Sequence, residues 1–449
     1  MPKMRGRVVD DALNNQEEGT RTPLSVRSVV TPAPESAVSP VAEPRRAFGS
    51  LRHRNFRLFI SGQFVSLCGT WIQTVAQGWL VFQLSQSAFS VGLVNTLGSL
   101  PILMFTLWGG AVADRVNKHH WILLLQSLMV FPVLWLGILV QLNRITVTHV
   151  MIAAAILGVL NAFEVPARQA FVVDMAGKDD LMSAIAINSS IFNLSRIIGP
   201  SIAGILISAV GIAACFFANA ASFLAVVAGL LLMRMPKAAA APAGRTGKLW
   251  EGMQYVWREP WPRALMIITG TLSVFGFAFL PMLPVFAQDA LHVRAAGYGG
   301  LVSAVGVGAS AAALFMAALG HRVHRRKTIM VAGMLFGVSL ILASLSRDYW
   351  LALLLFTFAG TAMVLNNVLT NTLLQTSAPD LLRGRVMGVY SFLILGLAPF
   401  GSLEAGFVAE HLGVRVAIGS GGAICLVVTA IVAYYMHRIK APLPASGIA

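Results

Sequence analysis

The chain has 449 residues, of which 57% are hydrophobic and only 11% are charged, whereas an ordinary soluble domain has roughly 25% charged residues. This composition excludes a soluble enzyme, a soluble nucleic-acid-binding protein and a disordered chain, because too few polar residues are present to cover a water-exposed surface. The net charge of +15 comes from 33 Lys and Arg against 18 Asp and Glu. In a membrane protein, such an excess marks the loops that stay in the cytoplasm.

Residues 1–50 differ from the rest of the chain, since they are rich in Pro, Ser, Glu and Arg and contain no sustained apolar run. They predict a disordered tail, and without an apolar h-region they are not a signal peptide. Cys68, Cys215 and Cys425 lie far apart inside apolar runs. We expect them to be buried free thiols, and we expect no metal site and no cofactor.

From Phe56 onward, apolar runs recur, each long enough to cross ~30 Å of hydrocarbon at ~1.5 Å per residue. They predict an all-α integral membrane protein of twelve transmembrane helices in two six-helix pseudo-repeats. The predicted helices are 56–83, 88–113, 121–141, 148–172, 183–207, 211–233, 264–288, 297–319, 328–346, 350–375, 385–408 and 414–436.

The long connection 234–263 is predicted to be a linker between an N-terminal half, 51–233, and a C-terminal half, 264–437, with a second tail at 438–449. The loops at one end of the predicted helices carry most of the Lys and Arg residues, and the other end carries only Arg144, Arg294, Arg347 and Arg415. By the positive-inside rule, both termini and the linker are then cytoplasmic.

An internal repeat favours the division into two halves. Asp180-Leu-Met opens predicted helix 5 and matches Asp380-Leu-Leu, which opens predicted helix 11, and Pro200 falls beside Pro399 at nearly the same offset. Two related six-helix halves are a transporter architecture, in which the substrate path lies between the halves.

The loop between predicted helices 2 and 3 has the sequence GAVADRVNKH at residues 110–119. Gly110 permits close helix packing. The Asp114 carboxylate can accept hydrogen bonds from the N-terminus of a neighbouring helix, where the helix dipole favours an anion. Arg115 and Lys118 add positive charge on the cytoplasmic side. The loop resembles the signature of the major facilitator superfamily, from which it departs at Asn117 and His119. A solvated basic loop without a further role is the alternative.

In that family, this loop locks the outward-facing state through a charge relay. The resemblance implies that Asp114 faces the start of helix 11 and that Arg115 reaches an acid at the end of helix 4, here Asp174.

Two further motifs place ionisable residues inside the membrane. Glu164 and Arg168 on helix 4 are four residues apart and share one face of the helix. Arg196 on helix 5 lies near the middle of the membrane, where ionisable side chains usually face the bundle interior. We hypothesise that Glu164 pairs with Arg196 in competition with Arg168, and that Glu164 carries a proton. The alternative is a static ion pair that only fixes helices 4 and 5.

The segment around Arg196, NLSRIIGPSIAG, contains Gly199, Pro200 and Gly204, which form a face of small residues. It resembles the Gly-Pro motif on helix 5 of proton-driven exporters, although only the core of that motif is present.

Polar residues on otherwise apolar helices are candidates for the lining of the substrate path, although such residues also hold helices together. The candidates are Gln63, Thr70, Gln73 and Gln77 on helix 1, Asn188 and Asn193 on helix 5, and Asn367 and Asn371 on helix 10.

The opening segment NFRLFISGQFVSLCGTWIQTVAQGWLVFQLSQSAFSVGL, the segment Pro-Ala-Arg-Gln-Ala at 166–170 and the segment Ser-Arg-Ile-Ile-Gly-Pro at 195–200 carry a wider resemblance. They are similar to the bacterial exporter branch of the major facilitator superfamily that includes the enterobactin exporter and the transmembrane secretion effectors.

The resemblance implies a monomeric exporter in the bacterial inner membrane, which exchanges a siderophore, drug or other metabolite for protons and is not an enzyme. Uptake by symport or facilitated diffusion is the first alternative. A membrane-embedded enzyme or sensor is the second, and the histidines argue against it because they lie in loops or at helix ends without metal-ligand spacing.

Overall fold

The computed structural model describes residues 49–176, 180–233 and 249–438, and these ranges are built of helices and turns. The predicted tails 1–50 and 438–449 lie outside them, except for residues 49, 50 and 438. The long helices are α1 Arg54–Ser85, α2 Ala88–Ala113, α3 Lys118–Gln141, α4 Val147–Ala176, α5 Leu181–Ala209, α6 Ile212–Leu231, α7 Pro260–Ala290, α8 Ala295–Leu319, α9 Arg325–Leu345, α10 Tyr349–Ser377, α11 Leu382–Leu412 and α12 Val414–Arg438.

Each long helix corresponds to one predicted helix, and the predicted all-α membrane fold is confirmed. Among the described residues, eleven helices are long and apolar enough to cross a membrane. The exception is α1, which has 32 residues and is therefore ~48 Å long at ~1.5 Å per residue. Polar residues recur along α1 and lower its average hydrophobicity, and the cavity described below explains their presence.

Short turns join most neighbouring helices and make them antiparallel. Ser87 and Asn117 cap α2 and α3 by accepting hydrogen bonds from the backbone N–H groups of Ser90 and His120. Gly211 and Gly413 have φ angles of +111° and +92° before α6 and α12, a region that favours glycine. The bundle thus has a linker end, where α1 begins and α12 ends, and a distal end, where α1 ends and α12 begins.

The last part of the predicted linker 234–263 is helical. A short linker helix, Leu249–Arg258, precedes α7, which begins at Pro260. Proline is favourable in the first turn of a helix, because N–H groups there have no acceptor within the helix and the N–H that proline lacks is not needed. The linker helix packs on α10 and α11, since Val256 is buried and the Tyr255 hydroxyl donates to the carbonyl of Ser377 at 3.3 Å.

Helices α7 and α11 are interrupted by π-helical turns, Leu272–Gly276 and Phe286–Ala290 in α7 and Phe392–Gly396 in α11. The turn in α11 ends just before Pro399, which cannot donate a backbone hydrogen bond. The carbonyl of Ile394, five residues before Pro399, accepts a hydrogen bond from the Ser273 hydroxyl of α7 at 2.9 Å. This hydrogen bond joins the two irregular helices.

Helices α1–α6 meet helices α7–α12 closely toward the distal end. The Trp79 ring of α1 stacks on Tyr298 of α8, with the ring centres 5.9 Å apart. Gly92 of α2 lies against the backbone of Ser402 in α11. Glu410, near the end of α11, accepts a hydrogen bond from the backbone N–H of Phe89 in the first turn of α2 at 3.2 Å, where the helix dipole favours an anion.

Two glycines at the linker end show no such packing among the described residues. A methyl group built on Gly110 of α2 or on Gly384 of α11 would meet no other side chain or backbone within 4 Å. The same operation on Gly92 or Gly299, near the distal end, would strike the backbone of the facing helix. Among the described residues, the helices are therefore packed closely at the distal end, and space is open beside Gly110 and Gly384 at the linker end.

We expect Gly92→Val to weaken the distal closure, because an added side chain would strike Ser402 and overpacking costs about 1–3 kcal/mol. Spin labels at the distal ends of α2 and α11 would then show a longer separation by pulsed electron paramagnetic resonance. Gly270→Ala is the control, since the nearest contact of its added methyl group is 3.8 Å, an ordinary van der Waals distance. An unchanged distance distribution for Gly92→Val would contradict this account of the closure.

Candidate functional site

A central cavity of about 590 Å³ lies between the two sets of helices. Its lining includes four residues predicted for the substrate path, Gln63, Thr70, Gln73 and Gln77 on α1. Their spacing of seven, three and four residues places them on one face of a helix. The polar residues of α1 thus face the cavity.

The two walls of the cavity differ in chemistry. The wall formed by α1–α6, called the carboxamide wall below, carries all the carboxamide side chains of the lining among its apolar residues, namely Gln63, Gln73, Gln77, Asn95, Gln126, Asn161 and Asn219. The wall formed by α7, α8 and α11 is mostly apolar and includes Phe277, Leu280, Pro281 and Val302. A molecule held there meets hydrogen-bonding groups on one side and hydrocarbon on the other.

A buried ion pair stands in the carboxamide wall. The Arg168 Nε donates to the two carboxylate oxygens of Glu164 at 3.0 and 3.2 Å, as the spacing of four residues on α4 allows. The Gln126 Nε2 of α3 donates to Glu164 Oε1 at 3.2 Å. Glu164 is only 2% exposed and is the one charged side chain classed as buried among the described residues.

The predicted contact between Glu164 and Arg196 is wrong for this conformation. The Arg196 guanidinium instead lies over the Trp71 ring, 5.9 Å from its centre, and Arg196 is not part of the cavity lining. The sequence placed Arg196 at the right depth on α5, but the rotation of α5 about its axis turns the side chain toward α1 instead of α4.

The loop between α2 and α3 forms a different ion pair from the predicted one. Lys118, not Arg115, pairs with Asp174, with Nζ 2.7 Å from Oδ2. Asp114 and Arg115 are exposed, and neither side chain has an ion-pair partner in the described part of the chain. The expected approach of Asp114 to the start of α11 stays a prediction, and the space beside Gly110, four residues before Asp114, is open.

The predicted small-residue face of α5 packs against two helices. Gly199 contacts Trp71 and Cys68 of α1, and Gly204 contacts Ala296 of α8. The carbonyl of Arg196, which Pro200 leaves without its usual partner in the helix, lies against Gly306 of α8.

Four other predicted lining residues are outside the cavity in this conformation, Asn188, Asn193, Asn367 and Asn371. Asn193 donates to the carbonyl of Ser189 in its own helix, and Asn371 accepts from Gln375, so both bond locally. Such local bonding competes with any role in lining a path.

Sequence reasoning missed four carboxamide residues of the cavity wall, Asn95, Gln126, Asn161 and Asn219. Each is a polar residue in a largely apolar helix, the same pattern that predicted the lining residues of α1. It also missed the pair between His53 Nε2 and Asp180 Oδ2 at 3.0 Å, which joins the start of α1 to the start of α5.

The described residues contain no group of three His, Cys, Asp or Glu side chains that could hold a metal ion. What the cavity offers is hydrogen-bonding groups, a buried ion pair and an apolar wall.

A membrane-embedded helical bundle, sealed at one end around a central cavity, has the architecture of a major facilitator transporter. A bacterial homologue of the human lysosomal transporter Spinster, solved in an inward-facing and unoccupied conformation, superposes with a TM-score of 0.69 at 13% identity, covering 90% of this chain and 100% of that one. The family model described as transmembrane secretion effector matches residues 45–444, and the chain belongs to this family of the major facilitator superfamily.

Curated relatives span nearly the whole chain. The staphyloferrin A transporter of Staphylococcus aureus is 24% identical over 394 residues, covering 87% of this chain and 98% of that protein. The multidrug efflux pump Tap of Mycolicibacterium fortuitum is 27% identical, covering 83% and 93%. The enterobactin exporter EntS of Escherichia coli is 25% identical, covering 84% and 90%. The protein is therefore a multi-pass membrane transporter of the secretion type, with a small-molecule substrate, and not an enzyme.

We expect Arg168→Met to destabilise the protein by about 3 kcal/mol, because it leaves the buried Glu164 carboxylate without its counter-ion. Adding Glu164→Gln should restore most of the loss, since a neutral amide needs no counter-ion. Thermal unfolding of the purified single and double variants measures both effects. A double variant no more stable than Arg168→Met would show that the two side chains are not energetically coupled.

Proposed function

We propose that this protein exports a small molecule across the bacterial inner membrane in exchange for protons. The observation that carries the proposal is the Glu164–Arg168 pair, in which a buried acid lies in the wall of the central cavity. Burying an ionisable group at this depth costs free energy, and such groups are therefore usually found where they have a function. The secretion-type family and the names of the relatives favour export over uptake.

The proposed cycle is alternating access between the halves 51–233 and 264–437, which the linker 234–263 connects. In the described conformation, space is open beside Gly110 and Gly384 at the linker end, and Glu164 is paired with Arg168. Protonation of Glu164 would weaken its hold on Arg168, because a neutral carboxyl group no longer attracts the guanidinium, whereas it can still accept a hydrogen bond from Gln126. Glu164 is then the proton carrier, and the Arg168 guanidinium competes with the proton for its carboxylate.

The loop motif would act in the opposite state. If the linker end closes, Gly110 and Gly384 have room to approach, and Asp114 would reach the start of α11. We propose that this contact locks the outward-facing conformation, whereas the contact between Glu410 and Phe89 stabilises the conformation closed at the distal end.

The linker end is proposed to be cytoplasmic, because its loops carry most of the Lys and Arg residues. We therefore expect Gln141→Cys, at the exposed distal end of α3, to react with a membrane-impermeant maleimide on intact cells. Lys327→Cys, exposed at the linker end of α9, should react only after the cells are opened. Both variants require Cys68, Cys215 and Cys425 to be replaced by Ala, and reversed labelling would overturn the orientation.

The substrate can be found by comparing the metabolites secreted by cells with and without the gene. The candidate is then tested in inverted membrane vesicles, whose interior is acidified to drive exchange. Accumulation inside the acidified vesicles supports export by proton antiport. Accumulation in whole cells without any in the vesicles would instead establish uptake.

We expect Glu164→Gln to abolish substrate-driven proton movement, lowering it at least about tenfold, while binding of the substrate persists, because a neutral amide cannot carry a proton. Proton flux in proteoliposomes, read with a pH-sensitive dye, measures the loss. Glu259→Gln is the matched control, since Glu259 is exposed and makes no side-chain cap to α7. Undiminished proton flux in Glu164→Gln would remove Glu164 from the coupling mechanism.

A further inference from the structure

A stripe of exposed side chains runs along the last three turns of α12. It consists of Val427, Ile431, Tyr434 and Arg438. Their spacing of four, three and four residues places them on one face of the helix. Val427, Ile431 and Tyr434 are 54%, 60% and 60% exposed, and Arg438 is exposed as well. The stripe therefore changes from apolar to aromatic to charged as it approaches the linker end.

The dimensions of this stripe match one leaflet of a bilayer. The eleven residues from Val427 to Arg438 span ~16 Å at ~1.5 Å per residue, which is about half of the ~30 Å thickness of the hydrocarbon core. The Arg438 guanidinium lies 5.3 Å from the centre of the Tyr434 ring. Tyrosine rings are enriched at the level of the lipid head groups, so Tyr434 and Arg438 are placed where a phospholipid carries its glycerol and phosphate.

A second stripe of the same kind lies on α9, which packs along α12. It consists of Lys327, Val331, Leu335 and Val338, with a spacing of four, four and three residues. All four side chains are exposed. Here too the charged residue is at the linker end, and the apolar residues follow toward the middle of the membrane.

The cations of the two stripes lie at nearly the same level. Gly333 of α9 contacts Thr429 of α12, and because the two helices are antiparallel, Lys327 is level with Tyr435. Arg438 is then only ~4.5 Å further toward the linker end. Neither Lys327 nor Arg438 has an ion-pair partner in the described part of the chain. The axes of packed helices are about 8–10 Å apart, so two long cationic side chains can reach one anion between them.

Two further arginines add positive charge beside this position. The Arg263 guanidinium of α7 donates to the Tyr435 hydroxyl at 3.2 Å and to the carbonyl of Trp257 at 3.4 Å. The Arg326 guanidinium lies 4.5 Å from the centre of the Trp261 ring, and its buried Nε has no partner among the described residues. Neither arginine pairs with a carboxylate in the described ranges, so this end of α9 and α12 has an excess of positive charge.

The corresponding helices of the first six differ. Helices α3 and α6 have the same place in the order of the first six helices as α9 and α12 have in the last six, and they also pack together. Lys118 at the start of α3 is paired with Asp174, and the end of α6 exposes Leu231 and Leu232. The combination of unpaired cations and an aromatic ring is therefore a property of α9 and α12, and the two helix pairs do not share it.

We propose that the surface formed by Lys327, Val331, Ile431, Tyr434 and Arg438, called the α9–α12 surface, binds one anionic phospholipid. Lys327 and Arg438 bind the phosphate, Tyr434 contacts the glycerol, and the apolar residues contact the acyl chains. Basic sites between the ends of membrane helices favour lipids with a net negative charge. The inference goes beyond the proposed function and requires neither export nor proton exchange.

Native mass spectrometry of the full-length protein in detergent tests the preference for a negative head group. Dioleoyl phosphatidylglycerol and dioleoyl phosphatidylcholine have the same acyl chains, but only the first has a net charge. We expect the first phosphatidylglycerol to bind at least about tenfold more tightly than phosphatidylcholine. Equal affinities would overturn the proposal. Displacement of the lipid by an equal concentration of sn-glycerol 3-phosphate, which has no acyl chains, would show a site for soluble phosphates and would also overturn it.

Single variants test whether the lipid binds at the α9–α12 surface. We expect Lys327→Gln and Arg438→Gln each to lower the affinity for phosphatidylglycerol about fivefold and to leave that for phosphatidylcholine unchanged. Arg57→Gln is the matched control, because Arg57 is an exposed arginine at the linker end of α1 and its loss changes the net charge equally. An equal loss of affinity in Arg57→Gln would show that only the overall charge matters, and the proposal would fail.

Arg438→Lys separates a role in binding phosphate from a role in packing on Tyr434. A lysine keeps the positive charge and binds phosphate as a point charge, so we expect it to restore most of the affinity for phosphatidylglycerol. Phosphatidylglycerol should also raise the melting temperature of the unmodified protein more than phosphatidylcholine does, and Arg438→Gln should lose this difference. A melting temperature that falls equally in Arg438→Gln and Arg438→Lys, with an unchanged ratio of lipid affinities, would overturn the assignment.

Discussion

A helix in hydrocarbon has no water to satisfy its backbone, and this constraint governs how the helices of this protein pack. Prolines in α4, α5 and α11 each remove a backbone donor and leave a carbonyl without its usual partner. In each case, a residue of a neighbouring helix contacts a carbonyl group in this part of the helix. Gly109 of α2 lies against the carbonyl of Ala162, four residues before Pro166. Gly306 of α8 lies against the carbonyl freed by Pro200, and Ser273 donates to the carbonyl of Ile394.

These contacts position the cavity. The contact at Pro200 joins α5 to α8, and the contact between Ser273 and Ile394 joins α7 to α11, which are helices on both sides of the central space. The close packing leaves the carboxamide face of α1 and the apolar faces of α7 and α8 directed inward. The buried Glu164 is then held by groups on its own helix and on α3, so that the chemistry of the ion pair lies entirely within the first six helices.

Much of the architecture could be predicted from hydrophobic periodicity, because a helix that crosses a membrane must be apolar over a fixed length. The order and approximate limits of the twelve helices, and the polar face of α1 at Gln63, Thr70, Gln73 and Gln77, follow from that rule. The pairing of Glu164 with Arg168 also follows from their spacing on one helix. Each of these inferences depends only on contacts within a single helix.

The errors concern contacts between helices. The depth of Arg196 could be read from its position in α5, but the rotation of α5, set by the packing of Gly199 on Trp71, could not. Lys118 and Arg115 are long, flexible side chains only three residues apart, and sequence alone does not say which one reaches Asp174. The linker helix Leu249–Arg258 could not be predicted from the length of apolar runs, because its 10 residues are too few to cross a membrane.

The distal seal consists largely of backbone packed on backbone, since Gly92 lies against Ser402, Gly299 against Pro200 and Gly204 against Ala296. Flexible side chains can adapt to a displacement by changing rotamer. Backbone surfaces cannot adapt in this way, so the contact is lost only when a whole helix moves. A small displacement would therefore lose most of the contact at once. The seal should therefore behave as a switch between a shut and an open state, with no stable half-open state through which small solutes would leak across the membrane.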